Sequence, residues 1–262
     1  MNEIQTYLEE DGLLHCAVCK EPVEAFYPKG SFLEMRKHHR QCACERQAYA
    51  EEVKYYKEKE HQERVVRNKK ICFEEKEMED FIFQNVDRDS GAIRIAKEYV
   101  ANWQKMKKNH MGYLFWGPVG TGKSYLAACI ANALLEQEVT VKMTNFNTIL
   151  NDLFAAEDKT EYVRLLNVYE LLIIDDLGVE RNSEYALENI FSVIDWRYRS
   201  GKPLIITTNL HLAKLKQEIK IEKKRIYDRI LERCIPVKID GVSRRETMVN
   251  DNMQTMKNIL KI

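Results

Sequence analysis

From residue 113 onward, short apolar runs alternate with longer segments in which apolar residues recur every three to four positions. The runs are Tyr113 to Trp116, Val139 to Met143, Leu171 to Ile174, Pro203 to Thr207 and Ile235 to Ile239, each of strand length. Between them, Leu126, Ile130 and Leu134 keep a helical spacing. So do Leu187, Ile190, Phe191 and Ile194, which reads as the core face of a helix from Ser183 to Arg199. Strands that alternate with helices predict a parallel sheet covered on both faces. One connection, NFNTILNDLFAAEDKTEYVRLLNVYE, is long enough for two short helices.

Upstream the pattern changes. Residues 45 to 70 are almost continuously charged, without Gly or Pro, and opposite charges sit three and four residues apart, as on a solvated helix. Tyr49, Val53 and Tyr56 add only a thin stripe, which leaves a partner-binding or coiled-coil face as the alternative. The acidic stretch FEEKEMEDFIFQNVDRDSG ends in turn residues and suggests a linker over 71–92. The first 44 residues hold Cys16 and Cys19 as CxxC, then Cys42 and Cys44 as CxC. So short a segment cannot bury a self-sufficient core, whereas a structural zinc ion supplies on the order of 10 kcal/mol to a folded form. A four-cysteine zinc site is therefore expected. A variant with His15, His38 or His39 as one ligand and a set of free thiols are the alternatives. The expected organisation is 1–47 zinc-binding module, 48–70 charged helix, 71–92 linker and 93–262 nucleotide-binding domain.

Composition adds limits more than direction. The 262 residues are 45% hydrophobic, so a sizeable core is possible, and 41 basic residues balance 41 acidic ones. Any nucleic-acid contact must then come from a local patch. Seven cysteines, an odd number, do not form a disulfide framework. No apolar run approaches the roughly 20 residues of a membrane span, and MNEIQTYLEE is acidic, unlike a signal region. A cytoplasmic location is expected.

The chemistry centres on GYLFWGPVGTGKSYLAACI. An apolar run ends at Gly117, and Gly117-Pro118-Val119-Gly120-Thr121-Gly122-Lys123-Ser124-Tyr125 leads into a helical pattern, the strand-then-helix context that a phosphate loop needs. The glycines let backbone N–H groups face a phosphate, and a helix N-terminus adds partial positive charge. Lys123 suits the β and γ phosphates, and Ser124 suits Mg²⁺. In LLIIDDLGVE a buried strand runs into two carboxylates: Asp175 for Mg²⁺, and Asp176 to orient or deprotonate an attacking water, with Glu180 as runner-up base. LIITTN ends in Asn209, a candidate γ-phosphate sensor. Near the end, Arg225 and Arg229 lie one helical turn apart and Arg245 follows in an SRR sequence. Guanidinium groups suit the charge of a phosphoryl transition state. Paired carboxylates, an Asn and trailing arginines fit water attack better than transfer by a kinase.

In order and spacing, GPVGTGKS, LLIIDDLGVE, LIITTN, RIYDRI and the SRR pair resemble the AAA+ ATPases of the bacterial and phage replicative helicase loaders, with transposition helper ATPases as close relatives. The resemblance covers residues from about 93 to 245. It implies an α/β P-loop AAA+ domain with a five-stranded parallel sheet, preceded by the zinc-binding module and charged helix. ATP and Mg²⁺ would be bound by the loop, Asp175 and Arg245 (sensor 2), with Asp176, Asn209 (sensor 1), Lys123 and the arginine finger Arg229 acting in hydrolysis. It also implies a homo-oligomer with the finger acting in trans, a ring helicase bound through the N-terminal module, and single-stranded DNA along the double-helical insertion from Phe146 to Leu166. Lys142, Phe146 and Arg164 are the DNA candidates there, and Lys214, Lys216 and Lys220 form a second basic run. The implied function is ATP-dependent helicase loading. A transposition helper and a nucleotide-gated adaptor with little turnover are the competing readings.

Overall fold

The computed structural model describes residues 5–33, 36–85, 91–178, 183–241, 243, 253, 256–257 and 259–260. The chain divides into two compact units, Met1–Glu63 and Arg64–Ile262.

The first unit holds two short antiparallel hairpins. Strands β1 (Thr6–Leu8) and β2 (Leu14–Cys16) pair, as do β3 (Glu24–Phe26) and β4 (Lys37–His39). Helix α1 (Ala43–Cys72) follows, its charged sequence leaving Tyr49, Tyr55 and Tyr56 exposed. Among the described residues, this unit's apolar cluster is small: Cys16, Val23 and Cys42 buried, with Leu14, Cys19 and Cys44 beside them.

In the second unit, α2 (Gly91–Ala101) and α3 (Trp103–Lys108) precede β5 (Gly112–Trp116) and α4 (Lys123–Leu135). Strand β6 (Val141–Asn145) leads into α5 (Phe146–Ala155) and α6 (Lys159–Leu166), the two short helices of the long connection. Then come β7 (Leu171–Leu177), α7 (Glu184–Ser200), β8 (Leu204–Thr208), α8 (Leu212–Lys216), α9 (Ile221–Arg233) and β9 (Cys234–Lys238). The five strands form one parallel sheet in the order β6-β7-β8-β5-β9.

Successive side chains of a strand face opposite sides, and here both sides are covered, so the strands read as unbroken apolar runs. Tyr113, Phe115, Leu171, Ile173 and Ile205 enter the cluster under α2 and α4. Their neighbours Leu114, Leu172, Ile174, Leu204 and Ile206 enter the opposite cluster with α5, α7 and α9.

Two sequence expectations shift. Strand β6 begins at Val141 rather than Val139, because the Val139 N–H closes the end of α4 on the Leu134 carbonyl after Glu138 takes a positive φ of 61°. The described part of the expected linker is a packed strap. Cys72 and Phe73 are buried, two 3₁₀ turns cover Lys76–Asp80 and Phe83–Asn85, and the buried Asn132 amide donates to the Met78 and Phe81 carbonyls. Its acidic face read as a linker because its few apolar residues do not repeat at any helical or strand period.

Candidate functional site

All five strands are parallel, so their carboxyl ends lie along one sheet edge, where α/β folds bind ligands. That edge gathers Gly117 after β5, Asp175 and Asp176 in β7, and Asn209 after β8.

Backbone sterics explain two of the loop glycines. A Cβ on Gly117 would lie 2.2 Å from the Ile239 carbonyl oxygen, and Gly122, which caps α4, holds φ at 93°. Lys123 opens α4 and is buried, its ammonium donating to the Gly117 and Pro118 carbonyls at 3.0 and 2.7 Å. Thr121 donates its hydroxyl to Pro118, and Val119 is exposed. Tyr125 packs its ring on Phe81, and its hydroxyl donates to the Ile82 carbonyl at 3.2 Å.

The carboxylate pair sits on a distorted strand. The register of β7 on β8 breaks between Ile174 and Leu177, and Asp176 adopts a left-handed φ of 56°. Positive φ outside glycine is uncommon, and such strain concentrates at functional sites. Thr207, fully buried, holds the kink: its hydroxyl donates to Asp175 and accepts the Asp176 N–H at 2.9 Å. Burial pushes the Asp175 carboxyl above its ordinary range, against the lowering effect of the Thr207 hydroxyl and of the nearby Ser124 hydroxyl, so the two expected Mg²⁺ ligands lie close to one another. Asn209 donates to Asp176 Oδ1 at 3.3 Å, joining the candidate sensor and the candidate base. Thr207 escaped the sequence reading; its only signal was a polar residue inside LIITTN, one position before the strand end.

Glu180 and Arg245 lie outside the described residues. Arg229 projects from α9 and donates through Nε to Asp195 Oδ1 at 2.8 Å, while its guanidinium lies 4.7 Å from the Phe191 ring centroid. Exposed Arg225 covers the same ring at 5.0 Å. Phe191 is thus only partly buried, where helical spacing had put it in the core.

The DNA candidates of the insertion separate. Phe146 is the first residue of α5 and is 2% exposed, packed in the cluster with Ile149, Leu153 and Leu166, so it presents no face to a base. Lys142 donates to the Ile71 carbonyl and approaches Glu74. Arg164 is exposed with a loose pair to Glu161 at 3.7 Å, and Lys214, Lys216 and Lys220 are exposed. The open aromatic of α5 is Phe154, 81% exposed, which the sequence reading passed over.

In the first unit, the Sγ atoms of Cys16, Cys19, Cys42 and Cys44 all lie within 4.8 Å of one another. Backbone N–H groups of Cys44 and Glu21 bring the Cys19 thiol down to about 6, and its nearness pushes the Cys44 thiol up to about 12. Four converging sulfurs with N–H groups aimed at a thiolate suit a soft, tetrahedral cation. The histidines are engaged elsewhere: His15 with Asp11 and the Lys20 carbonyl, His38 with the His39 carbonyl, His39 with Glu45. Among the described residues no helix is long and apolar enough to cross a membrane.

Comparison with known proteins identifies the family. The family described as IstB-like ATP binding protein matches residues 41–251. The replicative helicase loader DnaC of Escherichia coli (strain K12) is 29% identical over 144 residues, 53% of this chain and 56% of that protein. The replicative helicase loader DnaI of Bacillus subtilis (strain 168) is 21% identical over 271 aligned positions, 94% of this chain and 82% of that protein. A crystal structure of DnaI superposes with a TM-score of 0.58 at 26% identity, covering 68% of this chain and 99% of that one. The chain thus spans little more than half the length of the first curated relatives that it matches.

Proposed function

Since this chain belongs to the IstB-like ATP binding proteins, we propose that it is an ATP-hydrolysing loader of a replicative ring helicase. The observation that carries hydrolysis, beyond ATP binding, is the kinked end of β7. There Asp176 is held beside Asn209 while Thr207 holds Asp175 near Ser124. When bound, Mg²⁺ would neutralise charge on the phosphates, held by Ser124 and Asp175. Lys123 neutralises the transferred phosphoryl group. Asp176 orients the attacking water and accepts its proton, and Asn209 fixes that carboxylate. The arginine finger is Arg229, reaching the nucleotide of a neighbouring subunit.

The N-terminal module carries the helicase contact. Four thiolates would hold a zinc ion that folds it, leaving Leu8, Val18, Phe26 and Phe32 exposed for a partner. The similarity to DnaI extends over 94% of the chain and so must reach into the module, whereas the IstB-like match begins at residue 41, beyond Cys16 and Cys19. That difference favours a loader over a transposition helper. Single-stranded DNA would meet exposed Arg164 and Phe154, with Lys214, Lys216 and Lys220 as the second basic run.

The test mixes two inactive variants. Lys123→Ala should lose ATP binding, and Arg229→Ala should bind ATP but not turn it over. Together they should regain part of the ATPase, because some mixed interfaces join an intact loop to an intact finger. No regain at any ratio, with oligomers verified by light scattering, would remove the trans finger. Full turnover by Lys123→Ala would remove the site itself.

A further inference from the structure

We propose that Asp195 is the positioning residue for Arg229, holding its guanidinium ready for the neighbouring subunit's nucleotide; this rests on the finger reading above. Asp195 lies on α7 and its side chain is 11% exposed. A carboxylate so buried is retained only if it is paired. It is paired twice: Oδ1 accepts from Arg229 Nε, and Oδ2 forms an ion pair with Arg199 Nε, both at 2.8 Å. Because two arginines divide the carboxylate, neither takes it in the two-bond fork that an isolated ion pair prefers.

The division leaves Arg229 gripped from behind. Its Nε is on Asp195, Nη1 reaches the Arg225 carbonyl at 3.2 Å, and the plane is held against the Phe191 and Tyr198 rings at 4.7 and 5.7 Å. Nη2 has no hydrogen-bond partner among the described residues. A guanidinium fixed at Nε and on its face, with a terminal nitrogen spare, has little rotamer freedom left to lose when it meets a phosphate. Exposed Arg225 has the Phe191 ring but no carboxylate among the described residues, so it lacks this preorganisation. Arg199 is 75% exposed, so its ion pair with Oδ2 adds little to the hold on Asp195 compared with the partly buried Arg229.

A double-mutant cycle on the full-length protein separates positioning from a merely structural clamp between α7 and α9. Turnover, ATP affinity and thermal melting are measured for Asp195→Ala, Arg229→Ala and the double variant. Asp195→Ala should lower kcat about 10- to 100-fold and leave the ATP Kd within about twofold. It should add nothing to the residual turnover of Arg229→Ala. Mixed with Lys123→Ala it should regain activity, and mixed with Arg229→Ala it should not. Should Asp195→Ala fail to fold, the isosteric Asp195→Asn, which keeps an acceptor for Nε, carries the same cycle with a smaller loss. Multiplying losses in the double variant, or full turnover in Asp195→Ala beside an inactive Arg229→Ala, would overturn the assignment while the finger stands. Full turnover in Arg229→Ala would overturn both.

Discussion

The two units of this chain are held together by different physics. The second buries apolar side chains against both faces of a five-stranded sheet. The first buries three residues, two of them thiols, among those described. An apolar cluster of that size cannot offset the conformational entropy of ordering some sixty residues at about 1–2 kcal/mol each. Two cysteines that count as core are also half of the candidate metal-binding set. Burial stabilises the second unit, and the proposed zinc coordination would supply what the first lacks.

Metal removal is the largest test of that contrast. Stripping the ion with a chelator should withdraw on the order of 10 kcal/mol from the first unit and abolish hydrogen-exchange protection across residues 5–44. The second unit should keep its protection and its melting transition. Unchanged protection of the first unit, with metal loss verified by elemental analysis, would end the contrast.

Two phenylalanines of α5 sharpen it at intermediate size. Phe146 is core, so Phe146→Ala should lower stability by about 3–5 kcal/mol in denaturant titrations. Phe154 is exposed, so Phe154→Ala should leave stability within about 0.5 kcal/mol. In fluorescence anisotropy with a non-hydrolysable ATP analogue, the Phe154 variant should instead lose about 1–3 kcal/mol of single-strand binding. Equal stability losses would contradict the burial of one and exposure of the other. Unchanged DNA affinity would shift the contact to the basic run of Lys214, Lys216 and Lys220.

The smallest effect is expected at the sheet edge, where burial and polar bonding meet. Thr207→Val keeps the shape but leaves the Asp176 N–H without its acceptor, costing about 1–3 kcal/mol. Turnover should fall with it, because the kink that presents Asp176 loses its tie to β8. Wild-type turnover in a destabilised Thr207→Val protein would show that the kink holds without the hydroxyl.

The phosphate loop, the carboxylate pair and Asn209 could be read from the amino-acid sequence because each is a local motif. Glycines must sit where the backbone needs positive φ, and polar residues must appear where a buried strand leaves the core. Unbroken apolar runs and period-3.6 patterns likewise announced the strands, the helices and the two short helices after β6. What the tertiary structure decided involves partners far apart in the chain. Thr207 meets Asp175 across 32 positions and Asp195 meets Arg229 across 34. The strap after Cys72 bonds to Asn132 some fifty residues on. Phe146 and Phe154 carry the same side chain on one helix, and only the sheet beneath α5 makes the first core and the second surface. Periodicity specifies which residues share a helix face; which face meets the sheet, and which charges meet across it, depends on contacts that form only when distant segments pack.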